Sequence, residues 1–437
     1  MKKLVNIYIL ALVIIVFPAY SQTYSLEQCL NIASEHNKTL QIAANNQHIS
    51  ELRHNEANAN LWPKLTFGSD YKYFSELPTQ LLPAAVFGGQ PGQFKEAQFG
   101  VPHNISAQIQ FAMPLYQPQV IGASKMTSIG AEISGLQFQK SQQQLIYDIS
   151  SLYFSLQLIG HQLTLIDKNI ENTGKLLSNL QLLQTQQMAK GTDVEKVRLQ
   201  MQQLTTQKEV LISRKIQLHN NLILMMGMPQ VQNIEIDPTI SLKGEALDDE
   251  NQNIDYQIVM TQNKLLKREL KTLKTLTLPS LNLVGAYGTT GFGYDTAPND
   301  FLRFYPVSFA GLQLSLPIFS GGGNFQKIKQ KKLEITNSHL QADLVRDQTT
   351  IQIKNLRSQI STSLQQIELT QKQKELAQTI YDQTLLQQKQ GLAALSEVLL
   401  ADNAMRDAQQ SHLNALVDYL KSIAELRKIS GNVNVKK

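Results

Sequence analysis

The sequence predicts a mainly α-helical protein with a β-barrel part, each chain being an internal repeat that supplies four transmembrane strands and long coiled-coil-like helices. Three observations predict it. Two pairs of alternating segments are bracketed by prolines, at Pro63 and Pro114 and again at Pro279 and Pro317. Each pair leads into a helical stretch far longer than a globular domain uses. The landmarks of the first half recur in order in the second, at offsets of about 200 residues.

The landmarks are specific. Leu61-Trp62-Pro63-Lys64-Leu65-Thr66-Phe67 returns as Thr277-Leu278-Pro279-Ser280-Leu281-Asn282-Leu283, and Phe111-Ala112-Met113-Pro114-Leu115-Tyr116 as Leu314-Ser315-Leu316-Pro317-Ile318-Phe319. Lys190-Gly191 returns as Gln390-Gly391, and Met226-Gly227 as Ser430-Gly431. The expected organisation is a signal peptide over 1–21, a first repeat over 22–230 and a second over 231–437. The signal rests on Lys2 and Lys3, an apolar run from Leu4 to Val16, and a small-residue site at Ala19-Tyr20-Ser21. No later apolar run reaches about 18 residues, so a membrane span further on must be made of strands.

In each half a helix comes first. Ser25 and Gln28 form a capping box at its start, and Pro63 ends it near Leu61. Leu65, Phe67, Ser69, Tyr71 and Tyr73 then alternate with Thr66, Gly68, Asp70 and Lys72, the period-two pattern of a strand. A Pro- and Gly-rich stretch from Ser75 to His103 reads as a loop. The chain returns with Ile105 and Ile109 on one face and Ser106 and Gln108 on the other, and Pro114 stops that strand. The second half repeats the pattern with Leu283, then with Leu312 and Leu314 opposite Gln313 and Ser315. Lipid-facing positions are therefore Leu65, Phe67, Ile105, Ile109, Leu283, Leu312 and Leu314. Lumen-facing positions are Ser106, Gln108, Gln313 and Ser315. Tyr71, Tyr73, Tyr287, Phe304 and Phe309 stand where an aromatic girdle belongs.

From Pro118 to Ala189 there is no further proline, and roughly 70 helical residues would span about 105 Å. Leu152, Leu156, Leu163, Ile166, Ile170, Leu177 and Leu180 recur at threes and fours, as in a coiled-coil seam. The other face is Gln, Asn, Ser and Lys, so this helix belongs in water. It turns at Gly191, and Thr192 with Glu195 restarts the chain as a second capping box. The other half turns at Gly391.

Four strands cannot close a barrel alone, because the smallest such barrels have eight. Two chains would give eight strands and an interior filled by side chains. Three would give twelve and a wet lumen, which suits Ser106, Gln108, Gln313 and Ser315. The geometry thus favours a homotrimer, with all four strands of each chain crossing the membrane.

The chain resembles the TolC family of outer-membrane efflux proteins. Ser25-Leu26-Glu27-Gln28-Cys29-Leu30 is similar to the opening helix motif of that family. Pro317-Ile318-Phe319-Ser320-Gly321-Gly322 is similar to its strand-to-helix motif, and Gly391-Leu392-Ala393-Ala394-Leu395-Ser396-Glu397-Val398 to its helical-hairpin tip. The resemblance implies a trimeric 12-stranded β-barrel in the outer membrane of a Gram-negative bacterium and a periplasmic α-barrel. It implies a passive exit duct of a tripartite efflux or type I secretion system. The hairpin tips would dock a periplasmic adaptor (membrane fusion) protein, linked to an inner-membrane pump such as an RND or ABC transporter. The tip residues are Lys190, Gly191, Thr192 and Asp193 in the first half and Gly391, Leu392, Ala393 and Leu395 in the second. The first half departs from the motif at Pro114-Leu115-Tyr116-Gln117, which lacks the double glycine, and its tip is shorter.

Composition excludes other classes. A formal net charge of +5 over 437 residues, with no basic stripe, does not indicate nucleic acid. Gly321-Gly322-Gly323 lacks the Lys-Ser/Thr of a phosphate loop. His36, His48, His54, His103, His161, His219, His339 and His412 are scattered without metal-ligand spacing. No enzyme, cofactor or metal centre is expected. Cys29 is the sole cysteine and reads as a half-buried helix residue. The rival class is a secreted structural coiled-coil protein of the cell envelope, which leaves the proline-bracketed strands unexplained.

Overall fold

A computed structural model describes residues 23–229, 234–240, 253–293 and 303–431. The signal peptide expected over 1–21 lies outside them. The elements run β1 (Thr23–Tyr24), α1 (Leu26–His36), α2 (Lys38–Ala59), β2 (Lys64–Tyr73), β3 (Thr79–Pro83), β4 (Phe94–Gln98), β5 (His103–Tyr116), α3 (Pro118–Thr185), α4 (Gly191–Met226) and β6 (Glu235–Ile236). They continue as α5 (Ile254–Lys274), β7 (Ser280–Gly293), β8 (Arg303–Ser315), α6 (Gly323–Lys389) and α7 (Leu395–Ser430). The chain forms two compact units, and each draws on both sequence repeats. One is Met1–Ala44, Phe138–Asp255 and Arg346–Lys437; the other is Asn45–Gln137 and Tyr256–Val345.

The first unit is helical and its core is built around α1. The Gln28 N–H donates to Ser25 Oγ at 3.2 Å and the Ser25 N–H to Gln28 Oε1 at 2.9 Å, a reciprocal capping box. Cys29 and Ala33 on the next turns bury against Ile149, Tyr153, Leu222 and Met226. Burial pushes the Cys29 thiol up to about 11, which leaves it protonated and inert at neutral pH. The single helix expected from Ser25 to Leu61 is in fact two. Asn37 separates them: its Oδ1 accepts from the Leu40 N–H at 2.8 Å, and its Nδ2 donates to the Met225 carbonyl at 2.6 Å. An Asn side chain that caps a new helix competes with continuation of the old one. In the same core β1 pairs in parallel with β6.

The second unit holds one antiparallel sheet in the order β2-β5-β7-β8, so each repeat supplies one hairpin. Two expectations need correction here. β5 does not stop at Pro114 but runs to Tyr116, with a register shift between Pro114 and Tyr116. Proline lacks a donor for the ladder, and an irregularity is where a sheet tolerates that. The Ser75–His103 stretch is not a plain loop: β3 and β4 pair within it as a separate hairpin, and His103 opens β5. No helix among the described residues is long and apolar enough to cross a membrane.

α4 ends at Gly227, whose φ is +70° and whose absent Cβ would lie 2.1 Å from the His36 carbonyl oxygen. Gly391 has φ +78° with nothing within 4 Å of that position. Gly391→Ala is therefore expected to cost about 1 kcal/mol, the strain of a left-handed residue alone. Gly227→Ala adds a backbone clash in the core and is expected to cost about 2–4 kcal/mol. Thermal unfolding followed by circular dichroism should rank the two variants in that order.

Candidate channel wall and hairpin tips

Directly paired residues of an antiparallel ladder share a face, so the register assigns every strand residue. Leu65 pairs with Phe111, Phe67 with Ile109, and Tyr71 with Ile105. Ile109 pairs in turn with Tyr287, Leu283 with Leu312, and Leu281 with Leu314. All seven positions expected to face lipid thus lie on one face. The opposite face carries Ser106 beside Thr290, Gln108 beside Gly288, Gln313 beside Asn282 and Ser315 beside Ser280. All four positions expected to face the lumen lie there.

Neither face has a core against it at the outer strands. Leu65, Phe67, Leu312 and Leu314 are all exposed. The polar face is self-satisfied instead: the Ser106 hydroxyl donates to Asp70, and Lys72 Nζ stands 3.3 Å from the same carboxylate. Where the strands meet α2 and α3, that face opens a cleft of about 470 Å³ lined in part by Asn60, Lys64, Gln117, Asn282 and Gln313. At the end where β2 gives way to β5, Tyr71 Oη lies 2.7 Å from His103 Nδ1, and Tyr73 packs on the same imidazole. These tyrosines share the apolar face with Tyr287 and Phe304. Phe309 does not: it pairs with Ala286 on the polar face, which removes it from a girdle. The strand leaves the sheet through Ile318 and Phe319, both exposed, and turns on Gly321 and Gly322, whose φ values are +64° and +75°.

The two helical hairpins end differently. At the first tip the left-handed residue is Gln187, with φ +60°, not Gly191. The Met188 N–H donates back to the Leu183 carbonyl at 2.8 Å, which closes α3. Gly191 is already the first residue of α4, and Lys190 stands at its N-cap without a side-chain bond. Thr192 therefore does not cap the helix. The left-handed residue falls four positions before Gly191 and the N-cap two before Thr192, so Thr192 and Asp193 fall inside the first turn. At the second tip Gly391 takes the left-handed conformation, and the Leu392 N–H donates to the Gln387 carbonyl at 2.9 Å. Leu392 is 76% exposed. Leu395 is not an exposed tip residue, because it is buried with Leu180, Val194 and Val197. One small core thus joins both tips. The sequence reading passed over Met188, exposed on the first tip; a lone Met in a turn carries no periodic signal.

It also passed over a buried polar cluster. Gln200 Nε2 on α4 donates to Asp402 Oδ2 on α7 at 2.6 Å, and Arg406 Nη2 reaches the same oxygen at 3.0 Å. Burial pushes the Asp402 carboxyl above the usual range, against the pull of Arg406 and Gln200. The spacing of Asp402 and Arg406, four apart on one helix, was visible as an ion pair; the partnership with Gln200 crosses 202 residues and was not. No group of three or more His, Cys, Asp or Glu that could hold a metal occurs among the described residues.

A four-stranded sheet with one apolar and one polar exposed face, joined to helices of 68 and 67 residues, defines an outer-membrane channel subunit. Comparison with known proteins agrees. Residues 270–432 match the family model described as outer membrane efflux protein. The chain is 22% identical to the outer membrane protein TolC of Escherichia coli K12, over 99% of this chain and 87% of that one. It is 28% identical to the alkaline protease secretion protein AprF of Pseudomonas aeruginosa, over 34% of this chain and 31% of that one. The fold is similar to the crystal structure of the outer membrane protein VceC of Vibrio cholerae, with a TM-score of 0.77 at 12% identity, covering 93% of this chain and 96% of that one. The chain is thus TolC-like: residues 270–432 match the outer membrane efflux protein family, and its whole length is similar to TolC. It is an efflux channel protein of the outer membrane that extends into the periplasm.

The Asp402 cluster gives a pH test. A carboxyl whose folded pKa is raised contributes stability that is complete below its unfolded value and is lost as pH rises through the folded one. The unfolding midpoint of the native protein, relative to Asp402→Asn, should therefore rise as pH falls from 7 to about 4. A relative midpoint that falls over that range would show that pairing with Arg406 outweighs desolvation.

Proposed function

We propose that three copies of this chain pool their strands into one barrel and serve as a passive exit duct. Energy comes from an inner-membrane pump of the RND or ABC class, coupled through a periplasmic adaptor. The observation that carries this is the sheet itself: two open edges, and two exposed faces of opposite character. In this reading Leu65, Phe67, Ile105, Ile109, Leu283, Leu312 and Leu314 face lipid, and Ser106, Gln108, Gln313 and Ser315 face a water-filled lumen. The chain performs no chemistry on its cargo. The similarity to a protease secretion protein supports a protein cargo as well as small molecules. The two sequence repeats, 22–230 and 231–437, act as equivalent hairpin-and-strand modules.

The tips dock the adaptor. α3 separates β5 from the first tip by 68 residues, about 100 Å of helix. Of the apolar residues expected to be covered there, Leu392 is the one left exposed, and Met188 joins it from the first tip. Lys190, Gly191, Thr192, Asp193, Gly391 and Ala393 shape the two turns around them.

Two outcomes test the reading. Leu283→Arg should cost about 2–4 kcal/mol of membrane stability, whereas Gln313→Arg should chiefly alter conductance. Equal tolerance of both would mean the faces are misassigned. Leu392→Asp should abolish export while the trimer still forms and inserts. Cargo efflux and crosslinking to the adaptor measure this; normal values of both would remove the tip from the mechanism.

A further inference from the structure

The polar face of the sheet has one exception, on the outer half of β8. Tyr305 pairs with Thr290, Val307 with Gly288 and Phe309 with Ala286, so all three lie on the polar face. They are 46%, 42% and 59% exposed. The other face of this segment carries Pro306, Ser308 and Ala310, so the alternation of the lower half of β8 is reversed. Phe292, paired with Arg303 on the same face, has its ring 6.0 Å from that of Tyr305. The Arg303 guanidinium lies 5.7 Å from the centroid of the Tyr305 ring. The partners across β7 are small, so nothing within the sheet covers these side chains.

Exposed apolar surface in water is costly and marks a site where something binds. The charges on this face say what. Among its described residues they are Lys64, Lys72 and Arg303 against Asp70, three cations to one carboxylate. Asp70 is already engaged by Ser106 and Lys72. A cation stacked on an aromatic ring beside further apolar side chains complements an anion with an apolar or aromatic body. Hydrocarbon is a poor occupant, because it would bury Asp70, Lys72 and Arg303.

We infer that Arg303, Tyr305, Val307 and Phe309 form a cargo-contact site on the channel wall, selective for anionic aromatic amphiphiles. This rests on the channel reading, in which three such patches meet in one lumen. The site acts by retaining cargo of this class near the exit and so sets which molecules traverse the duct slowly.

The experiment uses the full-length trimer in planar bilayers, with 8-anilinonaphthalene-1-sulfonate as the probe. The probe should block the native current, and N-phenyl-1-naphthylamine, which lacks the sulfonate, should block it more weakly. Phe309→Ser and Tyr305→Ser should each raise the half-blocking concentration about tenfold. Arg303→Gln should abolish the preference for the anion. Val307→Cys and Gln108→Cys, exposed to a charged methanethiosulfonate, separate this proposal from the reading beneath it. The native Cys29 is fully buried and does not interfere. Current loss at both cysteines, with probe block unchanged by Phe309→Ser, would overturn the cargo site and leave the channel intact. Current loss at Gln108→Cys alone would mean that another segment covers the patch, which also overturns it. No effect at either position would overturn the assignment of the lumen face itself.

Discussion

Among the described residues of one chain, the N–H and C=O groups along the outer edges of β2 and β8 have no strand beside them. In hydrocarbon each unpaired group costs several kcal/mol, so an open sheet there is not a stable end state. Everything else in the molecule follows from removing those edges. Four strands are too few to curl on themselves, so the proposed channel pools chains. Pooling in turn demands that each strand present lipid on one side and water on the other without slipping, because a one-residue slip exchanges the faces. The register holds all seven apolar and all four polar positions to their sides across three ladders. Consistency across strands from both repeats is what a closed wall requires, and no soluble sandwich would leave both faces exposed.

Much of this was legible in the sequence because the relevant signals are local. Alternation over ten residues, a proline at each strand boundary and a capping box each rest on neighbouring residues, and the structure places them accordingly at Ser25, β2 and β8. What failed did so where a distant partner or a subtle turn decided. Asn37 interrupts the first helix because its amide reaches Met225, 188 residues away. Thr192 looks like a cap but is already helical, because α3 closes early through Gln187, a residue type without a strong turn signature. Pro114 reads as a strand terminus, yet the register shift beside it lets β5 continue. Phe309 was grouped with the girdle by residue type, when only its pairing with Ala286 could show its face.

The helical unit solves a different problem. Long Gln-rich helices have few apolar positions, so their association within one chain depends on small separated clusters. One surrounds Cys29, one joins Leu180, Val194, Val197 and Leu395, and one surrounds Val398 and Met405. The Asp402–Arg406–Gln200 cluster lies beside the third. A buried charged pair adds little net stability, because desolvation offsets attraction, but it punishes misalignment strongly. Its effect is to specify how α4 and α7 register against each other where hydrophobic contacts alone would allow sliding.

The asymmetry between the two tips follows from the same economy of apolar residues. Both turns must be wet on one side, yet both helix pairs need a core at their ends. Burying Leu180, Val194, Val197 and Leu395 in one shared cluster satisfies both pairs with four side chains. It also fixes which apolar residues remain outside: Met188 from a turn built on Gln187, and Leu392 from a turn built on Gly391. A thioether on a flexible stem adapts to its contact, whereas a branched leucine after a left-handed glycine presents fewer shapes. A partner that grips both tips therefore meets one compliant and one shape-specific anchor. The repeats have diverged at the very residues where the chain turns.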